Sequence, residues 1–208
     1  MTTNTVDKSK GMEKYFFRAS AQDFNKIPGS PVAYWASDNL RQCFTQGKPL
    51  KKIATAKLGM RTGDNNKWLR RWFEVSRQES KYDATNAEAA KASGKKWFPY
   101  NKGGDFRRWY GNYEYIIFWE NDGYAIKQET LQKYPQLTGD NLGWKITNEP
   151  DFFKPSCTWT FISSSSFGVR ANLGGALFDV AGSSAFPEED KLWLVTGFLC
   201  SRLSFDFL

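Results

Sequence analysis

Between Lys67 and Val75 the chain alternates in character. Leu69, Phe73 and Val75 fall on one side of an extended backbone, while Trp68, Arg70, Trp72 and Glu74 set aromatic against charged residues on the other. A period of two over this length predicts a strand buried on one face, because successive strand side chains point to opposite sides. The other stretches of strand character are equally short: Tyr15–Arg18, Lys52–Lys57, Tyr113–Trp119, Thr158–Ile162, Gly168–Arg170 and Leu177–Val180. Asn121-Asp122-Gly123 is the strongest hairpin signal in the chain. Gly174-Gly175 marks a second turn. Helical signals are also brief. Ala21–Ile27 reads as a turn closed by Pro28-Gly29, Ser37 caps a short helix through Leu40, Cys43 and Phe44 that Gly47 ends, and Ala84–Ser93 is an alanine-rich exposed helix before Gly94. Leu131–Pro150 is broken by Pro135, Gly139, Gly143 and Pro150 and reads as a loop. Leu199, Leu203 and Phe207 recur at near-helical spacing, so Leu192–Leu208 is expected to be a core helix. The fold class that follows is α+β: twisted, mainly antiparallel strands, short flanking helices and a C-terminal helix.

At 208 residues, 40% hydrophobic and 17% aromatic, the chain buries a core the size of one domain and is not a disordered sequence. Lys and Arg number 29 against 22 Asp and Glu, a net charge of +7 that favours an anionic partner without locating it. There is no histidine, which removes Ser-His and Cys-His nucleophile pairs and most zinc sites, leaving carboxylates, lysine and tyrosine as general bases. Cys43, Cys157 and Cys200 are scattered and odd in number, a pattern of a reducing compartment such as the cytoplasm. No signal segment or apolar run long enough for a membrane span occurs.

Three clusters carry candidate chemistry. In KLGMRTGDNNKWLRR (57–71), Arg61, Thr62, Asn65, Asn66, Lys67, Arg70 and Arg71 offer the hydrogen bonds that meet phosphates and base edges, and Gly59 and Gly63 would let backbone approach a ligand. It is not a phosphate-binding GK[ST] loop, and a self-capped turn is an equal reading of the loop alone. In KKWFPYNKGGDFRRWY (95–110), the cations Lys95, Lys96, Lys102, Arg107 and Arg108 are interleaved with rings around Asn101 and a double glycine. That combination suits nucleic acid better than a plain turn with cation–π pairs at its rim. Ser163, Ser164 and Ser165 in ISSSSFGVR could donate to phosphate, although the run by itself favours a simple polar loop. Asp64 with Glu79-Ser80-Lys81 has the outline of a magnesium nuclease site. It sits in a run with almost no apolar residues, where that chemistry needs a buried strand, and is outweighed. Sugar stacking by exposed rings is opposed by the arginine pairs at 70–71 and 107–108.

Taken in order, IPGSPVAYW (27–35), GMRTGDNNKWLRRWFEV (59–75), KWFPYNKGGDFRRWYGN (96–112), WENDGY (119–124), SCTWTFISSSSFGVR (156–170) and FDVAGSSAFP (178–187) closely resemble the C-terminal part of the PglX family, the adenine-specific DNA methyltransferases of BREX phage defence. The matched region is the target recognition domain, itself similar to that of type I and type IIG restriction–modification enzymes. The resemblance implies residues 1–26 as a lead-in and 27–208 as a sequence-specific duplex DNA recognition domain. It also implies a methyltransferase domain elsewhere in the same parent, which binds S-adenosylmethionine and flips the target base. This chain has no [DNS]PP[YF] motif and no glycine-rich cofactor strand, so it is expected to hold no cofactor and no metal and to be catalytically silent alone. Its uncapped apolar ending, Phe205-Asp206-Phe207-Leu208, reads as a piece of a longer chain. On the resemblance, the TGDNN and NKGG segments are shared framework. Arg61, Lys67, Lys102, Arg107 and Arg108 would then be phosphate contacts, and specificity would lie in Ser76–Lys95 and Lys127–Glu149 or beside the shared loops. The alternatives are a metal-dependent nuclease, or a protein-interaction module that docks a phage-encoded inhibitor or another BREX component.

Overall fold

A computed structural model describes residues 19–162 and 166–207. Residues 1–18 of the expected lead-in, with the Tyr15–Arg18 strand, and Ser163–Ser165 lie outside the described residues. The chain divides into two compact units, Met1–Lys52 and Ile53–Leu208. In the first, α1 (Ala21–Phe24) is started by Ser20, whose hydroxyl accepts from Gln22 N–H while Asp23 accepts back from Ser20 N–H. The second helix, α2 (Asp38–Gln46), starts at Ser37 and stops at Gly47, where the local cap signals place its ends.

The second unit contains, in chain order, the strands β1 (Ala54–Lys57), β2 (Leu69–Arg71), β3 (Trp97–Asn101), β4 (Tyr115–Phe118), β5 (Ser156–Trp159), β6 (Val169–Asn172), β7 (Leu177–Phe178) and β8 (Ser184–Pro187). Its helices are α3 (Asn65–Trp68), α4 (Ala87–Ala92), α5 (Glu120–Lys133), α6 (Leu192–Leu199) and α7 (Arg202–Phe207). Two four-stranded sheets form, in the orders β1-β8-β5-β6 and β2-β4-β3-β7. Every pair is antiparallel except β3 with β7. The α+β class therefore stands. Rings join the sheets: Phe98 meets Phe153, Phe152 meets both Trp119 and Phe178, and Phe178 of β7 meets Phe186 of β8 at 5.2 Å. Burial of each such side chain contributes about 1.5–3 kcal/mol.

Three elements depart from the sequence expectation. Lys67–Val75 is not one strand: Asp64 accepts from Lys67 N–H and winds a single helical turn through Trp68, only Leu69–Arg71 is extended, and Trp72–Glu74 tightens into a 3₁₀ turn. A helical turn rotates the chain by about 100° per residue, so Trp68 and Leu69 both face the core. Trp72 and Phe73 are instead 54% and 67% exposed. Asn121, Asp122 and Gly123 take positive φ (51°, 58° and 69°), as a hairpin turn would require, but they form the left-handed start of α5 rather than a turn into a second strand. A Cβ at Gly123 would sit 2.6 Å from the Trp119 ring, so that left-handed turn packs closely over the tryptophan. The C-terminal helix is two helices. It breaks at Cys200-Ser201, where Ser201 Oγ accepts from Ser204 N–H. Within α6, Leu192, Val195, Thr196 and Leu199 face inward, and Leu203 beyond the break is 39% exposed. The strands β3, which contains Pro99, and β8 had no distinct sequence signal.

Candidate nucleic-acid interface

Backbone pairing carries the first loop to its position. Past β1, Met60 N–H donates to Phe178 O and Val180 N–H to Met60 O, a parallel bridge that lays residues 59–61 beside the end of β7. Because β7 runs parallel to β3, the same segment is brought beside Asn101 and Lys102, where Asp179 N–H donates to Asn101 O. A turn of helix later, β2 presents Arg70 and Arg71. Asn65, Asn66, Leu69, Arg70, Arg71, Glu74, Lys102 and Tyr115 line one open groove of about 540 Å³. The loop read in the sequence and the lysine of the second cluster thus share one concave surface, with three cations against one carboxylate.

The groove side chains are held in different ways. Arg71 lies over the Tyr115 ring, 4.6 Å from its centre, and its guanidinium has no ion pair among the described residues. Its backbone N–H donates to Glu74. Arg70 Nη1 donates to the carbonyls of Asn66 and Leu69, both at 2.7 Å, and stands over Trp97 at 5.8 Å. Lys102 Nζ donates to Asp179 at 3.2 Å and to Asn65 Oδ1 at 3.3 Å. Asp179 is buried, and it also accepts from Tyr100 Oη at 2.8 Å and Ala181 N–H at 2.7 Å. Burial first, then the neighbouring Asp179 charge and hydrogen bond, pushes the Tyr100 hydroxyl well above its ordinary pKa, so it serves as a neutral donor beneath the groove.

The remaining sequence candidates are elsewhere. Arg61 donates to Trp144 O at 2.7 Å and lies over that ring. Thr62 is buried against Asn65, and Lys67 pairs with Glu129 of α5 and covers Trp68. Lys95 donates to Gln78 O and Lys96 pairs with Glu79, both at the opposite end of β3 from Lys102. The hydrogen bond to Glu79 holds the Lys96 ammonium above its usual pKa. Asn101 is buried within β3. Arg107 and Arg108 are exposed on a segment whose Trp109 exchanges backbone hydrogen bonds with Val169 and Ala171 beside β6. The groove contributors Tyr115 and Glu74, and the buried Tyr100–Asp179 pair, were not sequence candidates for the site. Tyr115 read only as part of the Tyr113–Trp119 strand and Glu74 only as one charge in the 67–75 alternation, and Asp179 acquires its neighbours only through the parallel pairing of β3 and β7.

The nuclease outline does not assemble. Asp64 caps α3 next to Asn65, which meets Lys102 just past the end of β3, whereas Glu79 and Lys81 bond to Lys96 and Trp97 at the other end of that strand. Lys81 is paired with Asp83. Among the described residues no group of three or more Cys, Asp or Glu side chains is placed to hold a metal ion, and no helix is long and apolar enough to cross a membrane.

No protein-family model matches the chain. It is 38% identical over 196 residues, 93% of its length, to the adenine-specific methyltransferase PglX of Lacticaseibacillus casei (strain Zhang). It is 36% identical over 168 residues, 81% of its length, to the adenine-specific methyltransferase BrxX of Escherichia coli O9:H4 (strain HS). The chain spans only 16% and 12% of these relatives. It is homologous to a segment of adenine-specific methyltransferases.

Proposed function

We propose that this chain is the duplex DNA recognition domain of an N6-adenine methyltransferase of BREX phage defence, and that the Arg70–Arg71–Lys102 groove is where it grips the DNA. The observation that carries the reading is the convergence of Asn65, Asn66, Arg70, Arg71 and Lys102, drawn from two separate sequence clusters, on one basic groove. Similarity to adenine-specific methyltransferases over 93% and 81% of the chain supports it independently. Residues 27–208 form the recognition domain on this reading and 1–26 lead into it. The parent supplies S-adenosylmethionine binding and methyl transfer in the cytoplasm, while this part positions the duplex and is itself not catalytic. Cations set the grip, since phosphate contacts dominate affinity, and the neutral Asn65 and Asn66 lie where a backbone or base edge would rest.

The test is fluorescence anisotropy of the chain with a pool of short duplexes at several salt concentrations, with and without magnesium. Three phosphate contacts give a slope of log K against log salt of roughly −2.7. The double variant Arg70→Glu, Arg71→Glu should abolish binding. Binding indifferent to salt or to that variant would sink the groove assignment, and magnesium-dependent cutting would restore the nuclease. A second reading, a protein-docking module for a phage inhibitor or another BREX component, draws on the outward Trp193, Leu194 and Phe198 of α6.

A further inference from the structure

The hydrogen bonds around Asn65 fix which half of its amide is left without a partner among the described residues. An ammonium group has three donors and no acceptor, so the amide atom facing Lys102 has to be the oxygen. Oδ1 lies 3.3 Å from Lys102 Nζ and 2.6 Å from Thr62 Oγ1, which occupies both of its lone pairs. Neither partner is free to turn away. Thr62 is buried, and Lys102 is anchored on the buried Asp179, which Tyr100 and the Ala181 N–H hold in turn. The Nδ2 amino group has no hydrogen bond among the described residues, and Asn65 lines the groove with Arg70 and Arg71.

We infer that Asn65 is a donor-only contact, held in that state by Thr62 and Lys102, and that it takes a hydrogen-bond acceptor of the nucleic acid. The inference rests on the reading that this groove holds DNA. An anionic phosphate oxygen fits best beside two guanidinium groups. A purine N7 or a base carbonyl oxygen offers the same acceptor chemistry. What the arrangement excludes is paired recognition of adenine, in which an asparagine oxygen must accept from the N6 amino group while its nitrogen donates to N7. Lys102 is on this account a positioning residue, acting through Asn65 as well as through its own charge.

Asn65→Ala removes the donor without adding charge, and Asn65→Asp removes it while placing a carboxylate at the site. Asn65→Asp keeps two acceptors for Thr62 and Lys102, so the melting temperature should hold or rise, yet it removes both N–H groups. Affinity for the duplex pool should fall at least tenfold, as loss of a hydrogen bond to a charged acceptor implies. Asn65→Ala should fall by a similar or smaller factor. An equal loss on every duplex identifies the phosphate oxygen. A loss confined to duplexes with one base pair, reproduced with wild-type protein by a 7-deazapurine or by removing one base carbonyl at that position, identifies a base acceptor. Binding by Asn65→Asp within about twofold of wild type overturns the inference, as does a loss reproduced by removing an adenine N6 amino group. If the wild-type chain itself binds no duplex, the DNA reading of the groove has failed and Asn65 falls with it, an outcome separate from a failure at Asn65 alone.

Discussion

Replacing Gly59 with alanine should pry the first loop away from the end of β7. A Cβ at this position would stand 2.0 Å from the Phe178 carbonyl oxygen, 2.4 Å from its carbon and 2.8 Å from the Asp179 carbonyl carbon. All three are backbone atoms, so no side chain can swing aside, and the two segments have to separate. The separation gives up Met60 N–H to Phe178 O at 3.0 Å and Val180 N–H to Met60 O at 3.2 Å, and strains the Tyr100 hydroxyl bond to Met60 O. Overpacking of this sort costs about 1–3 kcal/mol, and each lost backbone hydrogen bond costs about 0.5–1.5 kcal/mol. The sum, about 4 kcal/mol, lowers Tm by roughly 10 °C for a chain of this size. Gly63→Ala is the control. Its φ is +78°, but the nearest atom to a new Cβ is Lys145 Nζ at 3.9 Å, so only the left-handed conformation costs, about 1–2 kcal/mol. Thermal and urea unfolding followed by tryptophan fluorescence measures both. A Gly59→Ala protein melting within about 2 °C of wild type, or a larger loss at Gly63, would refute the close approach inferred for this strap.

Alkaline stability should report Tyr100. Unfolded tyrosine ionises near pH 10 and the folded Tyr100 well above it, so its contribution is fully present below pH 10 and is lost as pH rises beyond, by up to about 1.4 kcal/mol per pH unit. Urea midpoints across that range should fall more steeply for wild type than for Tyr100→Phe, and parallel curves would contradict the burial argument. Charge reversal at Arg107 and Arg108 should weaken duplex binding, but less than reversal at Arg70 and Arg71, because the first pair lies beside β6 rather than in the groove. Anisotropy that ranks the pairs the other way would move the DNA face to Phe106–Tyr110.

What the sequence determined by itself is the local punctuation and the chemistry available. Ser37 and Gly47 bound α2, Gly94 follows α4 with φ of 63°, and Gly174-Gly175 turn the chain, because each depends on residues within about four positions. The short-strand, short-helix α+β character was legible for the same reason, as were the two basic clusters. Tertiary structure decided the rest. The Asn121-Asp122-Gly123 signal reports only tolerance of positive φ, which a hairpin and the left-handed start of α5 share, and Trp119 packing over Gly123 chose the second. The alternation from Lys67 to Val75 was overridden when Asp64 captured the Lys67 N–H and turned Trp68 inward. The groove itself depends on pairings far apart in sequence, β3 with β7 and Met60 with Asp179, which set Asn65 beside Lys102 and Lys102 over Asp179. No local pattern specifies such a pairing, since it is selected by which strand edges remain open and which rings can fill the core between the sheets.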